Sequence, residues 1–206
     1  MPSVEQEVGV SCSENETLAA RKLLVLNASL PLEAIRERNL ESTVTNTDLE
    51  GFFEHVWTVH PFATLVTSND GISKYGSPEV HAFAQRHTFI EGKVGRFSFL
   101  KWAEPLNFIL SQVCIFFDLV RLIRKEGISV VDAWTPLYPG LFAWGLSRLC
   151  GIPFVVRVVA NHDKIYETTG QPAERRLWFS RKIEKIVEES ITSKKTVSVN
   201  VGQNNV

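Results

Sequence analysis

Two runs, Lys22-Leu23-Leu24-Val25-Leu26-Asn27 and Phe154-Val155-Val156-Arg157-Val158-Val159-Ala160, are apolar at successive positions rather than at alternate ones. A strand with one wet face alternates, so a strand apolar on both faces has to be covered on both by other elements. Such strands belong to parallel sheets, and parallel strands need crossover connections. The chain supplies them. Helical patterns span Glu104 to Lys125, stopped by Gly127, and Gly140 to Cys150, ended by Gly151, with the strand-like Ile128 to Ala133 between them. A helix from Ala173 to Ile191, with Phe179, Ile183, Ile186 and Val187 on its apolar face, and a strand from Thr196 to Val201 complete the second half.

The first half is less regular. Pro31 suits the first turn of a helix running to Arg38. Val56 to Val59 reads as the second strand, Ala63 to Thr67 as a third or its continuation, Asn69-Asp70-Gly71 as a turn, and His87 to Ile90 as a further strand. Strands alternating with helices predict an α/β fold with a doubly wound, mainly parallel sheet.

Length suits one domain over residues 21–206, with residues 1–20 a solvated tail that carries Glu5, Glu7, Glu14 and Glu16 and lacks the features of a signal peptide. Twenty-two Lys and Arg against 23 Asp and Glu give no global electrostatic case for nucleic acid. Cys12, Cys114 and Cys150 are too far apart for a metal cluster and suit free thiols in the cytoplasm. The window Leu106 to Ile123 is apolar enough to suggest a membrane span. Asn107, Ser111, Asp118 and Arg121 form a polar stripe opposite Leu106, Ile109, Leu110, Val113, Phe117 and Val120, which predicts a surface-packed amphipathic helix instead.

In open parallel sheets ligands bind beyond the carboxyl ends of the strands. The residues placed there are Asn27, Ser29 and Pro31; His60, Pro61 and Phe62; Trp134, Thr135 and Tyr138; and Asn161, His162 and Asp163. The Asn161-His162-Asp163-Lys164 cluster is the sharpest, since a His beside an Asp can act as a base or hold a hydroxyl. The competing reading makes Asn161 and Asp163 caps and His162 a packed residue. Trp134 and Tyr138 could stack on a ring or seal a core edge. Arg175, Arg176, Arg181 and Lys182 could attract a phosphorylated lipid or form a solvated helix face. There is no G-x-G-x-x-G, no P-loop, no G-x-S-x-G and no Asp-x-Asp pair for a divalent metal.

The order of the opening strand, Phe53 to Val59, Ile128 to Trp134, the helix Gly140 to Cys150, Gly151-Ile152-Pro153 with its apolar strand, and Asn161-His162-Asp163 resembles the N-terminal, acceptor-side domain of family-4 GT-B glycosyltransferases. The resemblance implies a Rossmann-like half of a GT-B fold that transfers a hexose, independently of metal, from a nucleotide-sugar donor to an acceptor glycan or glycolipid. It implies catalysis or acceptor contact at His162 and acceptor binding by Asn161, Asp163, Trp134, Tyr138 and Ser29. Ser29-Leu30-Pro31-Leu32 stands where the family has a glycine-rich loop. On this resemblance the donor domain lies outside these 206 residues, so the expectation is either a fragment or a chain that a second chain completes, inactive alone and working in the cytoplasm or at the inner face of a membrane. The alternative is a non-catalytic α/β binding module.

Overall fold

The computed structural model describes residues 21–65, 73–158, 161–173, 177, 180–192 and 197–200. The expected tail at 1–20, the turn at 69–71, and Phe179, Arg175 and Arg176 lie outside them. The architecture is α/β and doubly wound. In chain order the elements are β1 (Lys22–Leu26), α1 (Leu32–Glu37), α2 (Glu41–Thr45), β2 (His55–His60), β3 (Glu79–Ala84), β4 (His87–Glu91), α3 (Glu104–Glu126), β5 (Val130–Ala133), α4 (Tyr138–Cys150), β6 (Phe154–Val158), α5 (His162–Thr169), α6 (Arg181–Thr192) and β7 (Val197–Asn200).

The seven strands form one sheet in the order β3-β4-β2-β1-β5-β6-β7. All neighbours run parallel except β3, which pairs antiparallel with β4 at the edge. Without that edge strand the order is the dinucleotide-fold order, in which the chain works outward from β1 in one direction and then, through α3, outward from β5 in the other. Adjacent β1 and β5 therefore send their following segments to opposite sides. That divergence is the topological switch point.

The continuous apolar runs are explained by helices on both faces. Leu24, Leu26, Trp57, Val59, Val131, Ala133 and Val156 point to one face, where Ile115, Leu119 and Ile123 of α3, Phe142, Ala143 and Leu146 of α4, and Ile191 of α6 cover them. On the other face Phe89 packs with Leu32, Ile35 and Val44 of α1 and α2, and Leu23, Val25 and Val56 with Phe53 and Trp134. Burial of these side chains, each contributing about 1.5–3 kcal/mol, is what holds the layers together.

Four sequence expectations are corrected. Ala63 to Leu65 is a turn of 3-10 helix, not strand. The strand β3 adds to the expected set and carries a weak sequence signal, because at the edge only its alternate residues are partly covered. The last helix begins at Arg181 and not at Ala173, and Ile183 and Ile186 on its expected inner face are exposed while Glu184 is buried.

The fourth correction concerns α3, whose amphipathic face is reversed over its first three turns. Asn107, Ser111 and Gln112 are buried, whereas Leu106, Ile109, Val113 and Phe117 are about half exposed. The polar residues are inside because they hold irregular backbone. Asn107 Oδ1 accepts the N–H groups of Arg96 and Phe97 at 2.9 and 3.0 Å, and its amide donates to Phe97 O. Ser111 donates to Lys93 O at 2.7 Å and Gln112 to Pro61 O at 3.3 Å. A loop buried against a helix needs such partners for its peptide groups. Asp118 and Arg121 do stay on the surface, paired at 3.5 Å.

Candidate functional site

A cleft of about 560 Å³ opens at the carboxyl ends of the strands around the switch point. Its walls combine Ala28 and Ser29 after β1, Phe62 after β2, Thr135, Leu137 and Pro139 after β5 and at the start of α4, and His162, Ile165 and Thr169 of α5 with Gln171 beyond it. The cleft thus gathers segments far apart in sequence, as the topology requires. Its described polar groups are hydroxyls, an amide and one imidazole.

The β1 turn is built by Asn27, whose Oδ1 accepts the Ser29 N–H at 2.9 Å while its own N–H donates to Val59 O. The chain then enters α1 at Pro31, and the Leu32 N–H donates to Glu91 Oε1 at 2.8 Å. In dinucleotide-binding folds the corresponding helix start holds a pyrophosphate. Here a carboxylate of the chain, carried in by β4, occupies the donor.

Opposite, Asn161 caps α5 by accepting the Lys164 N–H at 3.1 Å. This fixes His162 at the first helical position with only 5% of its surface exposed, turned into the cleft. Its Nδ1 stands 3.5 Å from Oε1 of Glu188 on α6. Glu188 Oε2 lies 3.9 Å from Arg181, which also meets Glu184 at 3.4 Å and donates to Asp163. The guanidinium of Arg181 holds the exposed Asp163 carboxyl below its ordinary value. A chain of charges therefore clasps α5 to α6 and places a carboxylate behind the imidazole, an arrangement that can orient a histidine for proton transfer.

Thr135 lines the cleft, and its Oγ1 has no hydrogen-bond partner among the described residues. A buried hydroxyl in that condition costs stability unless something bonds it. It is a feature the sequence ranked below its neighbours Trp134 and Tyr138.

Those neighbours are placed elsewhere. Trp134 packs over Leu23, Val25 and Val56, with the Arg157 guanidinium 5.6 Å from its ring centre. Arg157 in turn forks onto the buried Asp132, whose carboxyl burial pushes upward in pKa against the pull of that arginine. Tyr138 begins α4 with its ring between Phe62 and Phe142, 5.3 and 5.6 Å away, and donates to Gln112 Oε1 at 2.6 Å. It lines, with Phe108, Ile109, Val113, Phe116, Phe117 and Phe142, an apolar groove of about 330 Å³, and its contact with Phe62 links that groove to the cleft wall.

Of the residues singled out in the sequence, the cleft brings together Ser29, Phe62, Thr135 and His162. Asn161 is used as a cap, Asp163 in the clasp, and Trp134 and Tyr138 in packing. The contribution of α5 went unread, although Asn161 before it and Gly170 after it, left-handed at φ 66°, bracket a short helix. Glu188 and Glu91 carry no local signal, because each reaches its partner only through the tertiary fold. Among the described residues no group of three His, Cys, Asp or Glu is arranged to hold a metal. No protein-family model and no curated protein matches the chain.

Proposed function

We propose that this chain is the acceptor-holding half of a GT-B type glycosyltransferase, which receives a hexose from a nucleotide-sugar bound by a donor-side domain. The observation that carries the reading is the pairing of a cleft at the switch point, whose polar lining among the described residues is Ser29, Thr135, His162, Thr169 and Gln171, with an α1 start where Glu91 takes the Leu32 N–H. Such a cleft favours a hydroxylated acceptor over a pyrophosphate. In the proposed reaction an acceptor hydroxyl faces His162, and a turn of the Thr135 side chain, whose Oγ1 is buried in the cleft wall, brings its hydroxyl to the acceptor. As the acceptor oxygen bonds to the anomeric carbon and the bond to the nucleotide phosphate breaks, the imidazole takes the hydroxyl proton. Glu188 then stabilises the imidazolium. The step asks nothing of a metal.

The use of Asn161, Asp163 and Trp134 in caps and packing favours a second reading, a non-catalytic α/β module that binds a hydroxylated ligand in the same cleft. Calorimetry with neutral oligosaccharides, glycolipid headgroups, UDP-glucose and GDP-mannose tests the first reading. It expects binding of a neutral glycan that Thr135→Val weakens about tenfold, equivalent to ~1.4 kcal/mol, and no comparable binding of nucleotide-sugars. Micromolar nucleotide-sugar affinity in the 206-residue chain would sink it. Sugar transfer by the chain supplemented with a donor domain, abolished in His162→Gln, separates it from the binding module.

A further inference from the structure

The outer face of α3 is apolar in a way that packing within the chain does not explain. Leu106, Ile109, Val113 and Phe117 recur at helical spacing and are 50%, 57%, 46% and 52% exposed. They make a stripe about 17 Å long at the α-helical rise. The segment just before the helix adds Phe99 and Trp102, exposed by 72% and 81%. Within the same helix Asn107, Ser111 and Gln112 point inward. Soluble monomers seldom leave so many large apolar side chains contiguous in water.

We infer that this face docks on an anionic lipid surface, with α3 lying in the plane of the interface. The charge at its ends favours lipid over a protein partner. Arg121 and Arg124 follow Phe117 by four and seven positions and so continue the stripe, and Lys125 is beside them. The Arg121 and Lys125 side chains are 82% and 81% exposed, and Lys101 adjoins Trp102 at the other end. The acidic groups on the helix are Glu104, Asp118, paired with Arg121, and Glu126, paired with Lys125 and Lys22, and the basic groups Lys22, Lys101, Arg121, Arg124 and Lys125 outnumber them. An apolar strip with aromatic and basic residues at its margins is the pattern of helices that bind at a bilayer interface, where the rings sit at headgroup level. The helix is also long and apolar enough to cross a membrane by length and composition, yet its buried side is committed to the sheet. Lying in the interface is the arrangement that leaves the fold intact.

The docking inference stands on this face alone and does not rest on the transferase reading. Were both to hold, the acceptor would be presented at the lipid surface, since Phe62 in the cleft wall touches Tyr138 in the wall of the groove beside the stripe.

Sedimentation of the 206-residue chain with vesicles of equal phosphatidylglycerol and phosphatidylcholine tests the inference. The wild type is expected to pellet with them and to bind pure phosphatidylcholine about tenfold more weakly. The triple change Ile109→Ser, Val113→Ser and Phe117→Ser is expected to lower binding at least about tenfold, with the far-ultraviolet spectrum and thermal midpoint retained. A wild type that stays in the supernatant, or a folded triple variant that still pellets, overturns it. So does a wild-type dimer that the triple change converts to monomer without any vesicle binding, which would make the face a self-interface. Should the variant fail to fold, brominated lipids decide on the unaltered face. Quenching that is greater in the wild type than in Trp102→Phe is expected, and equal quenching refutes the inference.

Discussion

Glu91 Oε1 accepts the backbone N–H of Leu32 at 2.8 Å, so the first helix after the first strand starts on one of the chain's own carboxylates. The other oxygen, Oε2, lies 3.5 Å from His81 Nε2, tying the helix start to the edge hairpin. Glu91→Ala leaves a partly buried N–H without its charged partner, and hydrogen bonds of that kind contribute about 1.5–3 kcal/mol. Urea denaturation of the variant is expected to show a loss in the lower part of that range. An unchanged midpoint would mean that water replaces the carboxylate at no cost.

Asp132 is 4% exposed and held by Arg157, whose side chain is about one-third exposed. Arg157→Ala leaves a buried carboxylate uncompensated, and the expected loss at neutral pH is about 3 kcal/mol. Burial raises the Asp132 carboxyl above its ordinary value in the native state. The native chain therefore holds its proton to higher pH than the unfolded chain, so stability falls as pH rises from the ordinary carboxyl value through the raised one. Without the arginine the rise is larger. The deficit of Arg157→Ala is thus expected to grow from acid to neutral pH in urea titrations, and a deficit independent of pH would refute the assignment.

His87 is 4% exposed, 3.7 Å from Asp48, and burial lowers its pKa more than Asp48 raises it. His55 is lowered too, first by burial and then by His87 itself. Both groups take up a proton more readily when unfolded. Their contribution is present above the ordinary histidine value, about 6.5, and is lost as pH falls below it toward the lowered native values. Stability measured from pH 7 to pH 5.5 should decline in the wild type and decline less in His87→Gln. An equal slope in both would contradict this account.

Gly92 lies at the end of β4 where a Cβ would stand 2.0 Å from Pro61 O, while its N–H donates to His60 O at 2.8 Å. Neither backbone can retreat without breaking the β2–β4 ladder. Gly92→Ala is expected to cost more than about 3 kcal/mol or to prevent folding, read as a loss of the cooperative thermal transition. A variant within 1 kcal/mol of wild type, on the order of an ordinary surface change, would show that the loop yields.

The parts of the fold legible in the sequence are those whose burial is decided by the element itself. β1 is apolar at successive positions and buried over Leu23 to Leu26, whereas β5 and β6 are apolar runs interrupted by the Asp132 and Arg157 pair, with only Val156 of β6 fully buried. The face of α3 was not legible, because Asn107, Ser111 and Gln112 point inward for the sake of backbone groups in segments whose path only the tertiary structure sets. For the site, the strand-end rule places Ser29 and His162 correctly at one crevice without saying which neighbours are consumed elsewhere. Asn161 and Trp134 look equally available in sequence, yet one caps a helix and the other seals the sheet beside Arg157. Glu188 could not be paired with His162 from sequence, since the two meet only through the clasp of α5 on α6.

The central claim is that the cleft between Ser29, Thr135 and His162 holds a neutral hydroxylated ligand, and amide chemical-shift mapping tests it most directly. Titration of the isotopically labelled chain with the tightest-binding neutral glycan should move the resonances of Ser29, Thr135, Ile165 and Thr169 together, with a common dissociation constant, and leave Leu32 beside Glu91 nearly still. The His162 ring signals should shift in the same titration. Shifts clustered at Leu32 and Ser29 on addition of UDP-glucose, with none from the glycan, would contradict the claim and return the site to nucleotide binding.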